Sequence, residues 1–229
     1  MTDPAHVPDR PAELSRQTEA GRYALLRRLA PSMRHHLVVN LQPIGMIYEV
    51  MDRRLRAEHP NLAEVHESAQ KINGFARAAL GSSLDIVTWL APEPGVTMAF
   101  NQGVHECLGL LATGLTFRGY ALRNQVEGIT GDVNRSAIRT LLSAALIYLT
   151  DHSPSPSDIA LVAQAGEGRV VLTLSARPAE GTQGFSGDVP YRRLGWDDLQ
   201  ALAAAESAEV ALDGTSTLRL TLALACPPA

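Results

Sequence analysis

Two heptad-spaced apolar series, separated by a helix breaker, limit what this chain can fold into more than any other feature. Leu37, Leu41, Ile44, Tyr48, Met51 and Leu55 recur four and three residues apart, the spacing that gathers apolar side chains onto one stripe of an α-helix. Glu58-His59-Pro60-Asn61 interrupts the pattern. Leu62, Val65, Ala69, Ile72, Ala76, Ala79, Ile86 and Leu90 then resume it, with Ser83 in the one polar slot. The spacing predicts helix over 12–56, with Pro31 and Pro43 kinking or dividing it, and a second helix over 62–90. Two antiparallel helices with narrow stripes cannot close a core alone. Such a hairpin is expected to dimerise into a four-helix bundle.

Ala91-Pro92-Glu93-Pro94-Gly95 reads as a linker, and the pattern changes behind it. A short strand is expected at 96–100, helix at 102–118 and strand at 120–126. A strongly apolar helix follows at 134–149. Residues 159–165 and 169–176 form a hairpin across Gly166-Glu167-Gly168. A Gly-rich loop at 181–189, a helix at 196–206 and a strand pair at 209–212 and 217–225 complete the order. The fold class is therefore α+β: a hairpin domain over 12–91, then an α/β sandwich over 96–229 with helices on one face of a mixed sheet. Residues 1–11, rich in proline and charge, read as a disordered N-terminal segment.

Composition removes several function classes. Of the 229 residues, 45% are apolar and 19% charged, and the net charge is −4, ordinary for a soluble globular protein. Without a basic block, no nucleic-acid surface is expected. The longest apolar runs are too short to span a bilayer, and the N-terminus lacks the basic start and apolar stretch of a signal peptide. Cys107 and Cys226, the only cysteines, stand in apolar surroundings without CxxC spacing, so two buried free thiols are expected. The expectation is a cytoplasmic protein with no cofactor, no metal and no membrane contact.

The chemistry-bearing segment is Arg34-His35-His36-Leu37-Val38-Val39-Asn40-Leu41-Gln42-Pro43-Ile44. His35 lies two residues before Leu37, about 200° round the helix, and faces away from the stripe. His36 lies about 100° from Leu37 and sits at its margin. An exposed neutral imidazole is a nucleophile and an acid–base group near neutral pH. Adjacent helical histidines are also commonly plain solvated or boundary residues. A metal site would want a ligand one turn on, where Val39 and Asn40 stand.

This segment resembles the H-box of bacterial histidine kinases, in which apolar residues occupy the second, sixth and ninth positions after a phosphoaccepting histidine. Leu37, Leu41 and Ile44 fit if His35 is the acceptor, and Asn40-Leu41-Gln42 is similar to the ending of one H-box subtype. His36 as acceptor would bring Asn40 to the fourth position but lose the apolar register, so His35 is preferred and His36 stays open. Phe117-Arg118-Gly119-Tyr120 resembles the arginine–glycine that opens a strand of the kinase ATPase domain. The helix over 141–150 corresponds to its N-box, and Leu194-Gly195-Trp196 and the closing strand pair fit its C-terminal half.

The departures bear on function. The asparagine that would hold magnesium falls at Ala144 among apolar neighbours. Ser175-Ala176-Arg177-Pro178 stands where Asp-x-Gly-x-Gly would follow, and His36 replaces the acidic residue after the acceptor. An apolar replacement leaves phosphates without partners. Gly181, Gly184 and Gly187, lacking a phosphate-loop lysine, read as a flexible connection.

The resemblance then implies a degenerate ATPase-like domain on a dimeric histidine phosphotransferase of a bacterial phosphorelay, which passes a phosphoryl group between receiver-domain aspartates of response regulators. Val38, Val39, Gln42, Met46, Glu49 and Arg53 would form the docking face, unless they cover the second helix. A non-catalytic pseudokinase scaffold that binds a histidine kinase or receiver is the alternative. A phosphatase fits less well, because Val39 stands where a water-orienting amide or hydroxyl would.

Overall fold

The computed structural model describes residues 10–181, 184–185 and 191–225, with side chains from residue 13 onward. Most of the 1–11 segment and of the Gly-rich 181–189 loop lie outside the described residues, as does Cys226.

The first helix, α1 (Arg10–Leu55), runs unbroken through Pro31 and Pro43. Each proline removes one intrahelical donor, for the carbonyls of Arg27 and Val39, and the neighbouring bonds keep the helix together. The second, α2 (Leu62–Leu90), starts where Asn61 caps it. The Asn61 Oδ1 accepts from the amides of Ala63 (3.1 Å) and Glu64 (3.4 Å), and its Nδ2 donates to Glu64 Oε1. Two otherwise orphaned helix donors are satisfied there, so the breaker ends in a helix start.

The chain divides into two compact units, the hairpin Ala30–Pro92 and an α/β unit from Glu93 onward that also takes in α1 as far as Leu29. This departs from the 12–91 hairpin expected above. The reason is side-chain chemistry that heptad spacing does not report. Ala24, Leu25 and Leu29 are buried. Gln17 Nε2 donates to Asp198 Oδ1 at 2.7 Å, and Thr18 Oγ1 reaches the carbonyl of Ala201 at 3.3 Å. Arg28 forks onto Asp151, Nη1 to Oδ2 at 2.5 Å and Nη2 to Oδ1 at 2.7 Å. Arg118 Nη2 donates to the same Asp151 Oδ1 at 2.9 Å. The ion pair is nearly sealed from water, at 4% and 0% side-chain exposure.

The α/β unit continues with β1 (Thr97–Ala99), α3 (Phe100–Phe117), β2 (Tyr120–Asn124), β3 (Asp132–Asn134), α4 (Arg135–His152), β4 (Ser157–Gly166), β5 (Arg169–Pro178), α5 (Trp196–Ala205), β6 (Glu209–Asp213) and β7 (Thr217–Ala225). The sheet order is β1-β3-β7-β5-β4-β2, with β6 also paired to β7. Only β2–β4 is parallel. The hairpin across 166–169 closes through Glu167 (φ 47°) and Gly168 (φ 73°), the two positive dihedrals of a tight primed turn. The one strand the sequence pattern does not show is β3. Its three residues are too few to alternate, and pairing with β1 and β7 creates it.

Along the long strands the inner residues alternate as a half-buried sheet requires: Ile159 and Leu161, Val170, Leu172 and Leu174, Leu218, Leu220 and Leu222 are all buried. They face α4, which is buried on nearly every side. A helix apolar all round is one enclosed all round. Here the sheet lies on one side, and α3, α5 and the first part of α1 on the others. Cys107 sits in this core, and burial above all pushes its thiol pKa up to about 12, which makes it an inert structural residue.

Asp198, in the first turn of α5, takes hydrogen bonds from Arg192 (2.6 and 3.0 Å), Gln17 and the Gly195 amide (2.8 Å). Burial raises its pKa, but Arg192 and the Gly195 and Gln17 donors outweigh burial and hold the carboxyl below its ordinary value. A depressed folded-state pKa contributes stability above the unfolded pKa and loses it as pH falls through the folded one. Asp198→Asn should therefore cost about 1–2 kcal/mol at neutral pH, modest because Arg192 is partly exposed. In urea titrations the gap to wild type should close below about pH 4. A gap that stays unchanged as the pH is taken well below that value would mean the charge is not what stabilises.

Candidate functional site

The hairpin seam explains where every residue of the histidine segment points. Leu37, Ile44 and Met51 are half-buried, together with Asn40, Ile47 and Arg54. On α2 the shielded positions include Val65, Ser68, Ile72, Phe75, Ala79, Ser82, Ile86 and Trp89. Direct bonds tie the two sets together. Asn40 Nδ2 donates to Ser82 Oγ at 3.1 Å, while Arg54 Nη1 reaches Ser68 Oγ at 3.4 Å and its Nε pairs with Glu64 at 3.1 Å. Both rungs obey one antiparallel register, which sets Ile47 level with Phe75 between them.

The six-residue stripe of α1 named in the sequence therefore splits into two lines. Leu37, Ile44 and Met51 lie in the seam, whereas Leu41, Tyr48 and Leu55 are 53%, 56% and 45% exposed. On α2, Leu62 and Leu90 are likewise exposed. The seam instead recruits Asn40, Ile47 and Arg54. Two of these are polar, so apolar spacing does not mark them; the seven-residue offset between them is their only trace in the sequence.

His35 is exposed and His36 half-buried. Their rings meet edge to face with centroids 6.4 Å apart. Among the described residues the His35 side chain makes no hydrogen bond, so both ring nitrogens are available. Val38, Val39, Gln42, Met46, Glu49 and Arg53 are all exposed, Met46 at 56%. Apart from the adjacent Val38 and Val39, successive members lie a turn apart, continuing from His35 along the helix. Val39 is 45% exposed. Asn40, which would flank His36 as a fourth-position amide, instead spends its Nδ2 on the His36 carbonyl (3.1 Å) and on Ser82.

In the α/β unit, Ala144 is fully buried and so are Ser143, Ala145, Leu146 and Ile147 around it. At the end of β5, Ser175 and Ala176 pair with β4, and Arg177 is exposed. Gly119, at φ +84°, lets the Arg118 turn approach the Gly184 backbone more closely than any side chain would allow. Phe185 N donates to Phe117 O at 3.0 Å across this contact. Among the described residues there is no group of three or more His, Cys, Asp or Glu placed to hold a metal ion, and no helix long and apolar enough to cross a membrane.

No family model matches the chain, and no curated protein matches it. Solved structures do resemble it. A histidine kinase from Burkholderia phymatum STM815 is 17% identical, with a TM-score of 0.43, covering 96% of this chain and 100% of that one. Histidine kinase ThkA in complex with the response regulator protein TrrA is 11% identical at a TM-score of 0.44, covering 97% of this chain and 68% of that one. A bacterial phosphotransferase is 13% identical at a TM-score of 0.40, covering 86% and 95%. These are partial superpositions at low identity, and the chain is similar to each of them in that measure alone.

Proposed function

We propose that this chain is a histidine phosphotransferase that relays a phosphoryl group between receiver-domain aspartates through His35, without ATP. The observation that carries this reading is an exposed imidazole, free of hydrogen bonds among the described residues, at the head of an exposed run of apolar, polar and charged helix residues. The H-box resemblance of the same segment supports it. In the reaction, an unprotonated ring nitrogen of His35 attacks the phosphorus of an aspartyl phosphate. The P–N bond forms as the P–O bond to the aspartate breaks, the carboxylate leaves, and the other ring nitrogen gives up its proton to solvent. A receiver supplies its own magnesium and lysine, so the histidine protein needs to contribute little beyond a positioned nucleophile. Ala144, Ser175 and Ala176 supply neither a side-chain amide for magnesium nor a carboxylate for an adenine amine, which is the ground for leaving ATP out of the cycle.

Incubating the protein with a radiolabelled, phosphorylated receiver tests the proposal: acid-labile label should appear on this chain. A scaffold that binds a kinase or receiver without transfer is the second reading. It draws on His36, which stands where an H-box carries its acidic residue. Binding without label would favour it.

The active form is a homodimer on this reading. Leu41, Tyr48 and Leu55 on α1, with Leu62 and Leu90 on α2, are exposed apolar positions that a bundle would bury and a lone hairpin does not. Light scattering at micromolar concentration should give twice the chain mass, and Leu41→Glu with Tyr48→Glu should halve it. A wild-type monomer would remove the bundle.

A further inference from the structure

Asn40 has a place in the hairpin that packing does not require. It occupies a seam position between Leu37 and Ile44, where an apolar residue would bury more surface. Its Nδ2 bridges two acceptors, the His36 carbonyl at 3.1 Å on its own helix and Ser82 Oγ at 3.1 Å on α2. The helix that carries this turn lacks two backbone bonds. Pro31 and Pro43 bracket His35, and the carbonyls of Arg27 and Val39 lose their intrahelical donors. A polar residue at a single seam position fixes register at a cost in stability.

We propose that Asn40 is a positioning residue: bonded to both the His36 carbonyl and Ser82, it clamps the turn that bears His35 to α2 and sets its register. The clamp is a statement about the hairpin. Its consequence for phosphotransfer rests on the reading of His35 given above. A nucleophile must meet phosphorus in line, so a turn free to slide loses rate without losing fold.

The test compares full-length wild type, Asn40→Leu and the swap Asn40→Ser/Ser82→Asn. Leucine should raise the thermal midpoint, because it fills the seam. It should also speed amide hydrogen exchange across residues 37–44, and slow labelling by a phosphorylated receiver on the order of tenfold or more. A merely structural role would move stability and rate in the same direction. The swap should restore both exchange and labelling: a serine at 40 can donate to the carbonyl four residues back, as Ser68 and Ser83 already do in α2, and accept from an asparagine at 82. Unchanged exchange in Asn40→Leu, or a swap that rescues nothing, would overturn the clamp. If wild type takes no label, the phosphotransfer reading falls, and exchange in the two variants still decides whether Asn40 clamps the turn.

Discussion

Replacing His35 with glutamine is expected to abolish labelling by a phosphorylated receiver and to leave the dimer and its stability intact. Glutamine keeps the size and hydrogen-bonding character of the side chain, but its amide nitrogen is no nucleophile. His35 is exposed, so its replacement should change stability by no more than about 0.5 kcal/mol. His36→Gln should only slow transfer, since His36 sits half-buried beside the seam and its carbonyl is held by Asn40. The two variants, labelled side by side with acid and base stability of the product recorded, separate three cases. Label lost in His35→Gln alone supports the register defined by Leu37, Leu41 and Ile44. Label lost in His36→Gln alone shifts that register by one. Label retained by both removes the histidines from the chemistry and leaves the scaffold.

The largest effect on folding should come from Asp151. Its carboxylate, fully buried, is shared between Arg28 of α1 and Arg118 after α3. Asp151→Ala would strand the buried Arg28 guanidinium without a counter-charge, at a cost of about 3–5 kcal/mol. That is a large share of the roughly 5–15 kcal/mol by which a domain is stable. Replacing both partners, Arg28→Met with Asp151→Leu, should recover most of the loss, because neither charge then needs solvation. Urea midpoints of the three proteins check this. A single variant that unfolds like wild type would mean that water reaches Arg28 and that the pair does not anchor α1. Since Arg28 lies two turns before His35 on the same helix, labelling of the double variant would also report whether that anchor matters to the site.

Much of this molecule was legible in the order of its residues, and the physical reason is periodicity. Alternation over residues 159–176 and 217–225 reveals strands, because inward side chains recur every second residue. Heptads reveal the hairpin, because a helix turns every 3.6 residues. Both are local signals, as are the helix breaker at 58–61, the turn across Gly166-Glu167-Gly168 and the outward angle of His35 relative to Leu37. Tertiary structure decided what depends on a distant partner. Leu41 and Ile44 are equally apolar in sequence, yet Ile44 lies on the side of α1 from which Asn40 and Arg54 bond Ser82 and Ser68, and Leu41 is open. Strand β3 exists through its neighbours alone. The first part of α1 joins the α/β unit because Arg28 finds Asp151 across 123 residues of chain. A heptad reports which side of a helix is apolar; which residues meet there is settled by hydrogen bonds and ion pairs whose two halves lie far apart in sequence.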